Sequence, residues 1–370
     1  MDDLASPPST LYPKITNHIK GVVKTLQYKL RDPSNPEKEI VIPPIPIIGT
    51  VKLHGAHADI LIHHDNTIAL QSRNVTNLSV NADNYGFATS MSQKSAAILK
   101  LRDEYLARWR ELNPKEQLDE STPVTIAGEW IGSGIQKNVA ICLLSRRFVI
   151  ISVKINNAWV LDGDYSTVEA PESDIYNISR GGLYTSTLYP DDQQRTIAEL
   201  EPLAEKVAAR CPFAESFGVV GAGEGLVWKL VPYISDADLW FKTKGGAFKP
   251  HATHAPKKPA SDVKEQREQA AELAKGWCSE QRLEQGWDYL KEVGKERNME
   301  GLGDYLKWVQ NDVLVEEKGY VKEHKVDEQV LRMEIMKVAK PWYVRRYKKG
   351  EEGDSFADAV GKLALLLISS

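Results

Sequence analysis

The sequence is poor in cysteine: Cys142, Cys211 and Cys278 are the only three in 370 residues. They are odd in number and far apart, so neither a disulfide framework nor a zinc-ligand spacing follows, and a reducing compartment is expected. Long apolar runs are also missing. The longest, near Leu363 to Ile368, falls far short of the ~20 residues that a membrane-spanning helix needs. Met1-Asp2-Asp3-Leu4 has neither the basic nor the apolar region of a signal peptide. Neither sign of charge dominates: 47 Lys plus Arg face 51 Asp plus Glu, a net charge of -4, so any nucleic-acid surface must be local. There is no Walker A run and no internal repeat. Gly221-Ala222-Gly223-Glu224-Gly225 fails the dinucleotide-binding spacing, because Leu226 stands where the last glycine belongs and the next run reads as a strand. The expectation is a soluble intracellular protein without a membrane span, cytoplasm and nucleus not distinguished.

What is present is an ordinary globular composition, 42% hydrophobic and 26% charged, in a chain long enough for two or three domains. Ile15, Ile19, Val22 and Val23 make a short amphipathic stretch, followed by the proline-rich Ile42-Pro43-Pro44-Ile45-Pro46. Short β runs follow at Val51–Leu53, Ile60–Ile62 and Ile68–Leu70. A helix is expected from Ser90 to Leu112, and strands at Val124–Trp130, Val139–Leu144, Phe148–Ile155 and Trp159–Leu161. The turn between the middle two would be Ser145-Arg146-Arg147. A second helix is expected from Asp191 to Arg210, then strand-like runs at Gly218–Val220, Leu226–Val231 and Leu239–Phe241. The polar, Pro- and Lys-containing residues 251–260 read as a linker. Beyond them apolar residues keep helical spacing: Leu283/Trp287/Leu290, Leu302/Tyr305/Leu306/Val309/Val313, Leu331/Ile335/Val338 and Phe356/Val360/Leu363/Leu367. The expected organisation is an α+β domain over 1–250, the linker, and an all-helical domain over 261–370.

Five short segments carry the chemistry, each setting a lysine, arginine or glutamate beside a strand and a turn residue. They are Lys52-Leu53-His54-Gly55, Gln71-Ser72-Arg73-Asn74, Gly128-Glu129-Trp130, Glu224-Gly225-Leu226-Val227-Trp228-Lys229 and Lys242-Thr243-Lys244. Alone, the first is a hairpin with an exposed lysine. Together they hold the inventory of nucleotidyl transfer: a nucleophile, cations for phosphate oxygens and carboxylates for a divalent metal. In kind and order, over residues from about 50 to 245, the set resembles the covalent nucleotidyltransferase superfamily of ATP-dependent ligases and capping enzymes. His54 in the first motif, Ser72-Arg73-Asn74 and the Glu224–Lys229 segment are most similar to RNA ligases of the phage RNA ligase 2 type.

That resemblance implies a nucleotidyltransferase fold of ATP-grasp-like antiparallel sheets flanked by helices, with ATP and Mg²⁺ (or Mn²⁺) as cofactors. The expected substrate is RNA with 5′-phosphate and 3′-OH ends. It implies Lys52 as the nucleophile that forms a lysyl-AMP, with Lys242, Lys244 and the metal helping to keep its amine neutral. Glu129 and Glu224 would serve as metal or ribose ligands. Arg73 would offer a planar fork to phosphate or ribose, and Lys229 a further phosphate contact. His54 and Gly55 would complete the nucleotide site. The family's aromatic-Asp-hydrophobic strand is here Phe148-Val149-Ile150-Ile151-Ser152-Val153, so the base would pack on Ile151, or on Phe148 in a shifted register. His57 stands where relatives often have Asn, as a contact for phosphate or RNA. The other reading of Lys242 and Lys244 is a pair that blunts an edge strand. Trp342-Tyr343-Val344-Arg345-Arg346-Tyr347-Lys348-Lys349 interleaves aromatics with cations, either for RNA stacking and phosphate contact or as an ordinary helix end. The expected activity is ATP-dependent RNA ligation, as in RNA repair. A DNA ligase, a capping guanylyltransferase and a non-catalytic RNA-binding relative stand as alternatives.

Overall fold

A computed structural model describes residues 11–249, apart from 33, 36–39, 82 and 84, and residues 263–368, with side chains in the second stretch described from 264 to 348. The chain divides into two compact units, Met1–Lys249 and Pro250–Ser370. Residues 251–260, read as a linker, lie outside the described residues.

The first unit is α+β, with two sheets that are antiparallel save for one short strand. After α1 (Ile19–Leu30), strands β1 (Ile45–Lys52), β2 (Ala56–Ile62) and β3 (Ile68–Ser72) are followed by α2 (Phe87–Ser92) and α3 (Ser95–Leu112). Then come β4 (Val124–Ile131), β5 (Arg147–Ile155), β6 (Ala158–Trp159), β7 (Ile175–Asn177) and β8 (Leu183–Leu188). The unit ends with α4 (Gln193–Ala209), α5 (Pro212–Glu215), β9 (Gly225–Leu230) and β10 (Phe241–Lys244). One sheet has the order β10-β9-β1-β8; the other runs β3-β2-β4-β5-β6, with β7 parallel to β5. The chain passes from one sheet to the other between Lys52 and Ala56.

Alternation along the strands decides what each face meets. Ala58, Ile60 and Ile62 of β2 and Val124, Ile126 and Trp130 of β4 pack with Ile98, Leu101, Tyr105, Leu106 and Trp109 of α3. Ile131 and Val149, on the other face of that sheet, share a core with Val51, Leu226 and Trp228 of the first sheet. The polar residues His57, Asp59 and Glu129 alternate with the helix-facing set and so lie on the sheet's other face.

Several sequence expectations change. Val139–Leu144 is not a strand: Ala140–Leu143 forms a 3₁₀ turn that buries Ala140 and Ile141 and leaves Leu143 exposed. Ser145-Arg146 therefore does not join two strands. Short apolar runs carry no period long enough to separate these cases. Gly218–Val220 is a loop, turned by Gly218 at φ 77° with Val220 exposed. Strands β7 and β8 have no sequence signal: one is three residues long, and the other is a half-exposed edge, Leu-Tyr-Thr-Ser-Thr-Leu. The expected helix from Ser90 is two helices, broken at Gln93-Lys94.

The second unit is helical: α6 (Val263–Trp277), α7 (Glu280–Glu292), α8 (Leu302–Glu316), α9 (Lys318–Glu323) and α10 (Glu328–Ile368). The expected stripes from Leu283, Leu302 and Leu331 fall in its core. Those from Leu331 and Phe356 lie on one helix that continues through Pro341. Among the described residues no helix is long and apolar enough to cross a membrane.

Phe148 is fully buried, tilted against Phe87 at 5.6 Å and touching the space where a side chain at Gly128 would sit. Phe148→Ala should therefore cost about 3–5 kcal/mol, read as a lowered urea midpoint of the first unit's unfolding transition. A loss below about 1 kcal/mol would contradict this packing.

Candidate active site

The switch between sheets is the start of the site. Lys52 is the last residue of β1 and pairs with Gly225 of β9, which pairs on its other side with Lys244 of β10. Gly225 has no room for a side chain: a Cβ would lie 2.1 Å from the Thr243 carbonyl oxygen. This close approach brings two lysines alongside the residue before it. Glu224 is 2% exposed, with Oε2 2.7 Å from Lys52 Nζ and Oε1 3.2 Å from Lys244 Nζ. His54 Nδ1 lies 3.7 Å from Oε2. Burial alone would raise the Glu224 pKa, but Lys52, Lys244 and His54 outweigh it and hold the carboxyl at about 2. Burial pushes His54 down to about 4 against the pull of Glu224, so its imidazole is neutral at pH 7. The ring rests edge-on against Phe248 at 4.9 Å. Of the cations expected to crowd Lys52, Lys244 thus reaches it through a shared carboxylate.

Glu129 faces this cluster from β4. Its Oε1 accepts the Gly55 N–H at 2.9 Å, a contact that needs glycine because a Cβ at 55 would sit 2.6 Å from the Trp130 carbonyl oxygen. Burial raises the Glu129 carboxyl, opposed by Lys52, His57, the Gly55 N–H and Arg73. Arg73 stands at the end of β3, half-buried, where its charge acts on Glu129 and Tyr12. Ile151 sits at a bulge: Ala127 pairs with Ser152 and Gly128 with Ile150, leaving Ile151 as the extra residue. A bulge re-aims its side chain; Ile151 is half-buried and packs against both the small core of Tyr12, Ala127, Trp159 and Trp240 and the larger core of the first unit.

Other expectations change. Phe148 is buried on the helix side of the sheet and does not face the cluster. His57, expected to contact phosphate or RNA, is buried: its ring stacks on Tyr12 at 4.8 Å. Its Nε2 lies 2.9 Å from Asp59 Oδ1, out of line for a hydrogen bond. Lys229, expected at a phosphate, is 1% exposed and donates to Asp162 Oδ2 at 2.6 Å and Ser152 Oγ at 2.5 Å, its ammonium 4.3 Å from the Trp240 ring centroid. A β strand that is buried on both faces turns its lysine to the nearest acid. Lys242 is buried, and its N–H donates to the Thr16 carbonyl at 2.8 Å.

On α10 Trp342 and Tyr343 are core residues packed on Trp287 and Tyr305, so these two rings are not free to stack on RNA. Arg346 pairs with Glu284 at 3.2 Å. Arg345 and Lys348 are exposed; the side chain of Lys349 lies outside the described residues.

Glu129 and Glu224 were expected to hold a metal. Among the described residues no three His, Cys, Asp or Glu side chains group as metal ligands. Both Glu224 oxygens face lysines, whereas Glu129 Oε2 lies 4.0 Å from His57 Nδ1. One or two carboxylates completed by substrate phosphates suit Mg²⁺, which needs no all-protein cage. The donor set fits on those terms, with Glu129 the better ligand.

No family model matches the chain, and neither does any curated protein. Solved structures do. Naegleria gruberi RNA ligase with PPi is 14% identical with a TM-score of 0.41, covering 65% of this chain and 58% of that one. A variant of it with AMP and Mn and another with ATP and Mn are each 13% identical with TM-scores of 0.39 over the same shares. The chain thus spans less than two thirds of these neighbours.

Sequence reasoning missed Tyr12, Asp59, Ser152, Asp162 and Trp240. Only Asp59 carried a signal, sharing a strand face with His57 by its i+2 spacing.

Two windows of acid sensitivity follow. The folded His54 pKa is depressed from 6.5 to about 4, so its contribution to stability is whole above pH 6.5 and is lost as pH falls towards 4. The Glu224 pKa is depressed from 4.5 to about 2, so its contribution is lost between those values. Urea midpoints of the protein should fall as pH drops below 6.5, and His54→Gln should flatten the limb between 6.5 and 4 while leaving a shallower lower limb, because Lys52 and Lys244 still hold Glu224 down. Parallel profiles for the two proteins would contradict a neutral buried His54.

Proposed function

We propose that this chain is an ATP-dependent RNA ligase of the phage RNA ligase 2 type, joining a 3′-OH to a 5′-phosphate through a lysyl-AMP. The observation that carries this reading is the sharing of buried Glu224 by Lys52 and Lys244 at the junction of the two sheets, opposite Glu129 and Arg73. A carboxylate held at about 2 stays ionised and keeps both ammonium groups at one point, ready for an anion to replace it.

In the first step Lys52 leaves Glu224 and sheds a proton to water. Its Nζ then attacks the α-phosphorus of ATP; the N–P bond forms as the P–O bond to pyrophosphate breaks, and the nitrogen gives a second proton to water or to the leaving pyrophosphate. Lys244 and Lys242 neutralise phosphate oxygens, and Arg73 offers two parallel donors. Neutral His54 orients an oxygen without adding charge. Ile151 is the apolar surface for the base. Mg²⁺ or Mn²⁺ bound at Glu129, with Glu224, would neutralise developing charge on phosphate. AMP then passes to the RNA 5′-phosphate, breaking the N–P bond, and the 3′-OH displaces AMP. Lys229 and His57 hold the walls and touch no substrate. RNA rather than DNA or a cap rests on His54 in the first motif, where DNA ligases and capping enzymes more often carry Asp.

The test is incubation with α-labelled ATP or GTP and a divalent metal. Wild type should take covalent label from ATP and Lys52→Ala none, while Glu224→Ala should slow labelling on the order of 100-fold. Label from GTP alone would favour a guanylyltransferase. No adduct with either nucleotide would leave a non-catalytic relative as the reading. Nicked duplexes of RNA, DNA and mixed strands then separate the two ligases.

A further inference from the structure

The segment before α1 was read from sequence as no more than a short amphipathic lead-in. In the structure it crosses the site. Thr16 bridges to Phe241 in parallel fashion, and its carbonyl accepts the Lys242 N–H at 2.8 Å, so the segment meets the edge of the lysine-bearing sheet at Thr16. Four residues earlier, the Tyr12 side chain reaches the other sheet. It is 8% exposed, its ring stacks on His57 at 4.8 Å and 29°, and its hydroxyl lies 3.5 Å from Ser152 Oγ. Trp159 meets the ring edge-on at 5.5 Å, and Trp240 lies 5.9 Å away.

Each of these neighbours leads to the site. His57 lies beside Glu129, and Ser152 holds Lys229. Ile151 packs on the small core that Tyr12, Ala127, Trp159 and Trp240 make. The α1 helix anchors the segment, with Ile19, Val22, Val23 and Leu26 in the first unit's core and Lys29 paired to Asp236 and Asp238 just before β10.

We propose that residues 11–18 are a strap that completes the nucleotide site, with Tyr12 as a positioning residue that sets Ile151 and the His57–Glu129 wall for the nucleotide. The Tyr12 ring is 8% exposed and packed among His57, Trp159 and Trp240, so it acts through its neighbours. Ile151 stands out at a bulge and has no aromatic partner of its own strand on the site face. It packs against the core of Tyr12, Ala127, Trp159 and Trp240, to which Tyr12, on the segment before α1, and Trp240, just before β10, come from outside the strands. A gap there would let Ile151 sink and His57 turn, and a displacement of this kind weakens binding well beyond the local contact. The proposal rests on the ATP reading above.

The experiment measures the rate of covalent labelling of Lys52 against ATP concentration for wild type, Tyr12→Ala and Tyr12→Phe. The expected result is a half-saturating ATP concentration at least about tenfold higher in Tyr12→Ala, with a smaller change in maximal rate. Tyr12→Phe, which keeps the ring on His57, should recover most of the loss. A role in stability alone would instead reduce the labelled fraction at saturation and leave half-saturation where it was, and that result overturns the proposal. Where Tyr12→Ala does not fold, Tyr12→Leu, which keeps apolar bulk without a flat ring, is measured in the same way and judged by the same shift. Labelled wild type with an unchanged Tyr12→Ala curve overturns the strap alone. Unlabelled wild type that also binds no ATP by calorimetry overturns the ATP reading, and the strap with it.

Discussion

One carboxylate and two ammonium groups set the geometry of the first unit. Lys52 ends one strand, Lys244 ends another two strands away, and Glu224 stands between them, almost fully buried. Gly225 makes this possible, because only a residue without a Cβ lets β9 pass so close to Thr243. Without Glu224, two lysines would face each other in a half-buried space; without the lysines, Glu224 would be an uncompensated buried charge. Buried ion pairs add little net stability over apolar packing, but removing one partner is costly. Their effect here is placement.

The rest of the unit supports that point. The Lys52–Ala56 passage carries the chain from one sheet to the other, and the Gly55 N–H bonded to Glu129 fastens the second sheet to the turn beside the lysine. A second buried pair, Lys229 with Asp162, lies farther along β9 and ties that strand to the loop after β6. The two pairs are alike in kind, each a strand lysine set against a buried acid. They differ in exposure: the Lys52 side chain is 22% exposed and that of Lys229 2%. A ligand reaches the first and not the second.

The gathering of charged residues was legible in the sequence where it depended on residue type and order. Lys52 and Lys244 end strands and Glu224 stands just before one, each within a few residues of a glycine. The orientation of Lys229, His57 and the α10 aromatics was not legible, because each depends on a partner far away in sequence. Lys229 turns to Asp162, His57 to Tyr12 and Asp59, and Trp342 to Trp287 and Tyr305. The same limit applies to fold. Long periodic elements such as α3 and α4 are visible in the chain, whereas β7 and β8 exist only because β5 and β1 offer them an edge.

The measurement closest to the central claim is peptide mapping by mass spectrometry after incubation with ATP and a divalent metal. The geometry predicts one AMP per chain, attached through an acid-labile phosphoramidate to the peptide containing Lys52. An adduct on Lys244 or on any other lysine, with Lys52 unmodified, would contradict the assignment of the two ammonium groups that share Glu224.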